Sequence, residues 1–407
     1  MKNIPIMTPF FTKEEIEQIQ EVLQSGWVAQ GPKVAEFEKA IADYEKVQYA
    51  VATTSCTTAL HLLLVCMGLC DKHEVIVPSF TFVATANAVE YTGATPVLAE
   101  VYTDTYNINV EWVQELIDNN YDNKDGILIN KKNGKILFGI IAVNLFGLCA
   151  DIPKLNDLAN HHGIKIIEDS ACALGASING VHEGGFGNPS CLSFHPRKSI
   201  TTGEGGMILT DDAELAASLR QMRSHGASIS EVNRHSSKGY LLPEFNELGF
   251  NYRMTDIQAA VGVAQIRKYD YILTERQNKA KFYDSLIKDR ISYLKPPHVP
   301  QGYLHTYQSY VCMIDYKALG LNDVEKGNEI RNKLMNALEE IGVATRQGTH
   351  AVHSLGYYRE KYGYKPFDLA GAYECDRMSL TLPLYVQMTN DDQIYVIETI
   401  DRIIKNI

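Results

Sequence analysis

The chain has 407 residues of ordinary globular composition, 45% hydrophobic and 21% charged, which suits one large domain and a smaller one. Its net charge of −11, with no block of basic residues, sets it against nucleic-acid backbones. The opening MKNIPIMTPF runs straight into the charged TKEEIEQIQEVLQSG and holds no signal-peptide core, and no stretch reaches the roughly 18 apolar residues that span a bilayer.

The eight cysteines contain no Cys-x-x-Cys pair, which argues against a metal site and for a reducing cytoplasm. Cys66 and Cys70 lie one helical turn apart in an apolar segment and read as buried thiols.

Along the chain, short apolar strands alternate with helices. TTALHLLLVCMG has a helical apolar pattern, EVIVPSF reads as a strand, and FVATANAVEYTG as a helix ended by Gly93. TPVLAEV and KILFGIIAVNLF read as strands, DIPKLNDLANHHG as a helix stopped at Gly163, and IKIIEDS as a strand. CLSFH and GGMILTD add two more. This alternation predicts an α/β fold, a mainly parallel sheet flanked by helices, with ligands at the carboxyl ends of its strands. Near residue 255 the texture changes. DIQAAVGVAQIRKYDYILTERQNKAKFYDSLI predicts a long helix with two possible breaks, and TYQSYVCMIDY and NEIRNKLMNALEEIG predict a smaller α/β domain. The division drawn is 1–255 for the large domain and 256–407 for the linking helix and small domain, with the first few dozen residues over the site face or on the small domain.

The densest chemistry lies between Ile166 and Asp212. Asp169 alone could be a helix cap, Lys198 alone a solvated lysine, and Gly203-Glu204-Gly205-Gly206 alone a turn. Together they form an ordered set: an acid at a strand end, then Ser193 on a strand, then a lysine, then a Gly-rich turn. Pyridoxal 5′-phosphate (PLP) needs such a set. Its aldehyde takes a lysine amine as a Schiff base. Its ring nitrogen works best protonated against a carboxylate, for which Asp169 is the candidate. Its phosphate needs neutral donors at a helix start, and Thr54-Ser55-Cys56-Thr57-Thr58 supplies them.

These segments resemble the DegT/StrS-type sugar aminotransferases, within the fold-type-I PLP enzymes. The resemblance rests on GWVAQGPKVAEFE, TTALHL, PSFTFVATANAV, GATPV, IIEDSACALGA, SFHPRKSITTGEGGMI, GFNYRMTDIQAAVG and a late LPLY. It implies that Lys198 is the catalytic Schiff-base lysine and Asp169 the acid on the ring nitrogen. It implies that Phe82 stacks on the ring, where residue type alone favours a core phenylalanine. Cys56 and Thr57 match the pair whose N–H groups hold the phosphate, Ser193 a hydroxyl donor to it, and Asn251 a residue reaching it from the neighbouring subunit. That last match implies a homodimer with shared active sites. Two positions depart from the pattern. Cys56 replaces a small residue in the phosphate loop. Cys172 stands where relatives carry Gln, His or Glu near the cofactor hydroxyl, and a thiol is a poor hydrogen-bond partner.

The resemblance implies transfer of an amino group from L-glutamate to a nucleotide-linked keto-sugar: GDP-, UDP- and dTDP-linked 4-keto-6-deoxy sugars and longer keto-sugar acids all stay open, with surface polysaccharide or glycan precursors as the setting. A sugar dehydratase of the same fold would carry histidine in place of Lys198, and a non-catalytic regulator would lack the lysine or the acid. Arg234, His235, Lys238 and Tyr240 form either a nucleotide contact or a solvated dimer loop. Arg346, His350 and His353 are expected near the pocket mouth, where Arg346 could bind a carboxylate or phosphate.

Overall fold

A computed structural model describes residues 2–228 and 242–406. Its centre is a nine-stranded sheet. In chain order the strands are β1 (Tyr49–Thr53), β2 (His73–Pro78), β3 (Thr95–Ala99), β4 (Tyr121–Lys124), β5 (Ile127–Asn130), β6 (Ile136–Val143), β7 (Lys165–Asp169), β8 (Ser190–Ser193) and β9 (Gly206–Thr210). The spatial order is β1-β9-β8-β7-β6-β2-β3, with the β4–β5 hairpin joined to the start of β6. Strands β2, β3, β6, β7 and β8 run parallel, and β9 is antiparallel to both β8 and β1. A parallel sheet covered on both faces needs nearly continuous apolar strands, and β6 (ILFGIIAV) is one.

The flanking helices include α1 (Lys13–Ser25), α2 (Pro32–Glu45), α3 (Cys56–Cys66), α4 (Ala84–Tyr91), α5 (Val110–Asn120), α6 (Ile152–His162) and α7 (Ala213–Met222). Their ends follow local chemistry. The Asp151 side chain caps α6 by accepting from the Lys154 N–H, and Gly163 ends it at a φ of 69°. Helix α3 buries Leu60, Leu62, Leu63 and Leu64, each worth roughly 1.5–3 kcal/mol against exposure.

Next come α8 (Asp256–Arg267) and α9 (Tyr269–Arg290), separated by a single break at Lys268, and α8 packs Ala259 and Val263 against Phe37 and Phe194. Beyond them, Leu294–Lys295, Tyr310–Ile314 and Ser379–Leu382 form an antiparallel sheet. Helices Val324–Glu340 and Asn390–Ile404 cover it through Leu334, Leu338, Val396 and Ile397. In the N-terminal segment Ile4 bridges Val343, and Ile6 and Met7 line the main cavity. Among the described residues no helix is long and apolar enough to cross a membrane. All eight cysteines are free, and Cys66 and Cys70 are half-buried where burial was expected.

One polar cluster lies on the opposite side of β7 from Asp169, because successive residues of a strand face opposite ways. Glu45, Glu168 and Glu183 are all fully buried there. Glu168 accepts from Asn144 at 2.9 Å, and Ser190 Oγ donates to Glu183 at 2.5 Å. One oxygen of Glu168 and one of Glu183 have no partner. Burial pushes the Glu168 carboxyl up to about 7 and raises Glu45 and Glu183 as well, the last two also repelling each other. The sign of the pH effect follows. The unfolded chain ionises these groups near 4.5, while the folded chain keeps them neutral. Stability therefore falls as pH rises from about 4.5 through 7, by on the order of 3 kcal/mol for Glu168 alone. The unfolding temperature is expected to drop between pH 5 and 8, and Glu183→Gln to flatten that slope. An unchanged slope in the variant would refute the assignment.

Candidate active site

A cavity of about 550 Å³ opens at the carboxyl ends of β6, β7 and β8. Cys56, Thr57, Phe82, Asp169, Ser193 and Lys198 line it from the nine-stranded sheet and its loops, and Gln308 and Arg346 line it from the C-terminal part of the chain. The sheet topology produces this convergence, since parallel strands end together at one edge.

Lys198 sits in the loop between β8 and β9. Its N–H donates to the His195 carbonyl at 2.8 Å, and its Nζ donates to Cys172 Sγ at 3.1 Å. Burial pulls the ammonium down, but Cys172, Cys56 and Asp169 together hold it above the ordinary lysine range. Asp169 ends β7 and is 5% exposed. It accepts from the Thr85 hydroxyl at 2.7 Å and from the Ala171 N–H at 3.2 Å. Burial raises this carboxyl despite those bonds and the nearby Lys198. A cation placed against it would favour its ionised form. Phe82 is 63% exposed on the cavity wall, so the core position favoured by residue type is overturned.

The start of α3 forms the second half of the site. Ser55 caps it, accepting from Thr58 N–H while Thr58 Oγ1 accepts from Ser55 N–H. The Cys56 and Thr57 N–H groups have no partner among the described residues, as the first turn of a helix dictates. Strand β9 passes so close that a Cβ on Gly206 would fall 2.3–2.5 Å from the Ser55–Cys56 backbone. Only glycine fits there. The Cys56 side chain points away from the loop, with Sγ 3.7 Å from the Cys191 carbonyl.

Other positions fall differently. Asn251 is exposed, bridges Ser224, and does not line the cavity of its own chain. Arg234, His235, Lys238 and Tyr240 lie outside the described residues. Arg346 reaches the cavity, but its Nη1 donates to the Thr345 carbonyl at 2.7 Å and pairs with Glu339 at 3.5 Å. The pocket-mouth expectation fails for His350, which is exposed on a short strand and lines no part of the cavity. It fails also for His353, a buried strut between Ser79 Oγ (2.7 Å) and the Pro366 carbonyl (2.9 Å). Contributors that sequence reading did not single out include Thr85, Arg197 and Gln308. Thr85 carried a signal, since it follows Phe82 by three residues at the start of α4.

An electron-withdrawing ring with a basic nitrogen and a phosphate tail fits these residues. Asp169 is a buried carboxyl with no cation beside it but Lys198 among the described residues. The Cys56 and Thr57 N–H groups are free for a phosphate, and an exposed phenyl ring flanks the space between. The sequence profile of the DegT/DnrJ/EryC1/StrS aminotransferase family matches residues 9–401. The chain belongs to this family.

Among curated relatives of this aminotransferase, GDP-perosamine synthase of Caulobacter vibrioides is 33% identical over 405 residues, 99% of each chain. Among solved structures, Helicobacter pylori PseC, an aminotransferase of pseudoaminic acid biosynthesis, has a TM-score of 0.86 at 25% identity over the whole of both chains. The Streptococcus pneumoniae protein Spr1654, solved in PMP and PLP forms, has TM-scores of 0.88 and 0.86 at 26% identity, over 99% and 100% of this chain and 100% and 99% of those chains. The chain is a PLP-dependent sugar aminotransferase of fold type I.

Proposed function

We propose that this aminotransferase moves the amino group of L-glutamate onto a nucleotide-linked 4-keto-6-deoxy sugar, in the cytoplasm, for a surface polysaccharide or glycan precursor. The observation that carries the reading is Lys198 Nζ and the Asp169 carboxylate in one cavity, open at the strand ends and large enough for a sugar beside a cofactor. The likeness to a GDP-perosamine synthase and to an aminotransferase of pseudoaminic acid biosynthesis supports the substrate class.

When bound, PLP supplies an electron sink for the carbon whose C–H bond breaks and carries nitrogen between the two substrates. Lys198 holds the cofactor between turnovers. Its freed Nζ takes the proton from the donor's α-carbon and later delivers one to the sugar carbon. Asp169, oriented by Thr85 and Ala171, holds a proton on the ring nitrogen. Phe82 would cover one face of the ring, and the Cys56 and Thr57 N–H groups and the Ser193 hydroxyl would hold the phosphate. Cys172, whose thiol accepts from Lys198 Nζ at 3.1 Å, would serve the cofactor hydroxyl. Asn251, exposed on its own chain, serves the partner's phosphate in a homodimer with shared sites.

The test is a panel of GDP-, UDP- and dTDP-linked 4-keto-6-deoxy sugars with nitrogen-15 L-glutamate, read by mass spectrometry. The expected product is a labelled amino-sugar from one nucleotide series. A deoxygenated product without label would overturn the proposal.

A further inference from the structure

Among the described residues, three cationic side chains other than histidine line the cavity: Arg197, Lys198 and Arg346. Lys198 is committed to the cofactor in the reading above, and Arg346 is engaged by Thr345 and Glu339. Arg197 differs. Its backbone is fixed at both ends, with the N–H donating to His195 Nδ1 at 3.1 Å and the carbonyl accepting from Gln308 Nε2 at 2.5 Å. Its guanidinium has no hydrogen-bond or ion-pair partner among the described residues, and Glu204 on the same wall forms no ion pair with it. A pinned backbone that presents an unpaired guanidinium to a cavity is a receptor for an anion.

We infer that Arg197 receives a carboxylate of the amino donor. This rests on the transamination reading and names a residue for its first half. The planar guanidinium fork matches a carboxylate through two parallel N–H···O bonds. Position selects the carboxylate over a diphosphate. Arg197 is the immediate neighbour of Lys198, so an anion on it lies about one side chain from the reacting nitrogen. A donor carboxylate sits on, or a few bonds from, the carbon that bears that nitrogen. The diphosphate of a nucleotide sugar is separated from its keto carbon by the sugar ring. The cofactor phosphate has its own donors at the start of α3.

The experiment uses holoenzyme of wild type, Arg197→Gln and Arg197→Lys, mixed rapidly with L-glutamate while the cofactor absorbance is followed. The exposed Arg197 side chain makes no hydrogen bond or ion pair among the described residues, so both variants are expected to fold and to bind PLP with the wild-type spectrum. Arg197→Gln is expected to need roughly 10- to 100-fold more glutamate for half-maximal conversion, the scale of a charge-assisted pair, with Arg197→Lys between the two. Inhibition by glutarate, a dicarboxylate without an amino group, should weaken in parallel. Unchanged glutamate dependence in Arg197→Gln, against a responsive wild type, would overturn the inference. So would loss of PLP affinity or a shifted cofactor band, which would put Arg197 on the cofactor. A wild type whose spectrum does not respond to glutamate would instead refute the donor assignment.

Discussion

Lys198→Ala is expected to bring turnover to the background of the assay. The residue has two duties in the proposed cycle, and alanine removes both. Loss of the proton shuttle alone lowers the rate by roughly 10²–10⁴-fold. Loss of the amine also leaves the aminated product with no group in the chain to displace it. The fold should survive, because among the described residues the Lys198 side chain bonds only to Cys172 Sγ. Borohydride reduction of the wild-type holoenzyme, followed by peptide mapping, should find the cofactor on Lys198. An adduct on another lysine, or near-normal turnover in the variant, would remove Lys198 from the centre of the mechanism. Lys198→His sharpens the test. Histidine can move protons but cannot re-form the covalent link, so any residual chemistry should be elimination without transfer of nitrogen.

Asp169→Asn is expected to lose activity by roughly 10²–10³-fold, the scale for removing one preorganised electrostatic contact. The amide is nearly the same shape, and the Thr85 hydroxyl can rotate to meet either of its polar atoms. What disappears is the negative charge that keeps the ring nitrogen protonated. The cofactor-free protein should respond in the opposite sense. Burial raises the Asp169 carboxyl, so the folded chain already disfavours its charge, and the neutral amide relieves that cost. The unfolding temperature of the cofactor-free variant should therefore not fall. A large drop together with retained turnover would make Asp169 a structural residue.

Much of the fold was legible because its signals are local. Period and length separated strand from helix between Cys56 and Thr210, and Gly163 marked a helix end by its conformation. The β4–β5 hairpin was passed over although its turn, Asp125-Gly126 at φ of 54° and 83°, is a strong sequence signal. Its strands YDNK and ILIN are short and half-exposed, so their periodicity is faint. In the site, Lys198, Asp169 and Ser193 could be read because they are close along the chain. Gln308 could not, since it reaches Arg197 across 111 residues and no spacing encodes that contact. His353 misled for the converse reason. A histidine in a segment near the cavity looks functional until its two partners, Ser79 and Pro366, are known to be structural.

The Gln308–Arg197 bond has a consequence for engineering. The side chain comes from the segment just before the Tyr310–Ile314 strand and the carbonyl from the loop that carries Lys198. Gln308 is itself fixed, because the buried Arg276 donates to the Tyr307 and Gln308 carbonyls at 2.9 and 2.6 Å. A chimera that grafts the C-terminal domain of a relative onto this large domain, to borrow its sugar preference, would replace this tether along with the pocket wall. The graft has to keep Gln308 and Arg276 together, or the lysine loop loses its anchor and the hybrid fails at the amine-donor step before any new sugar is met.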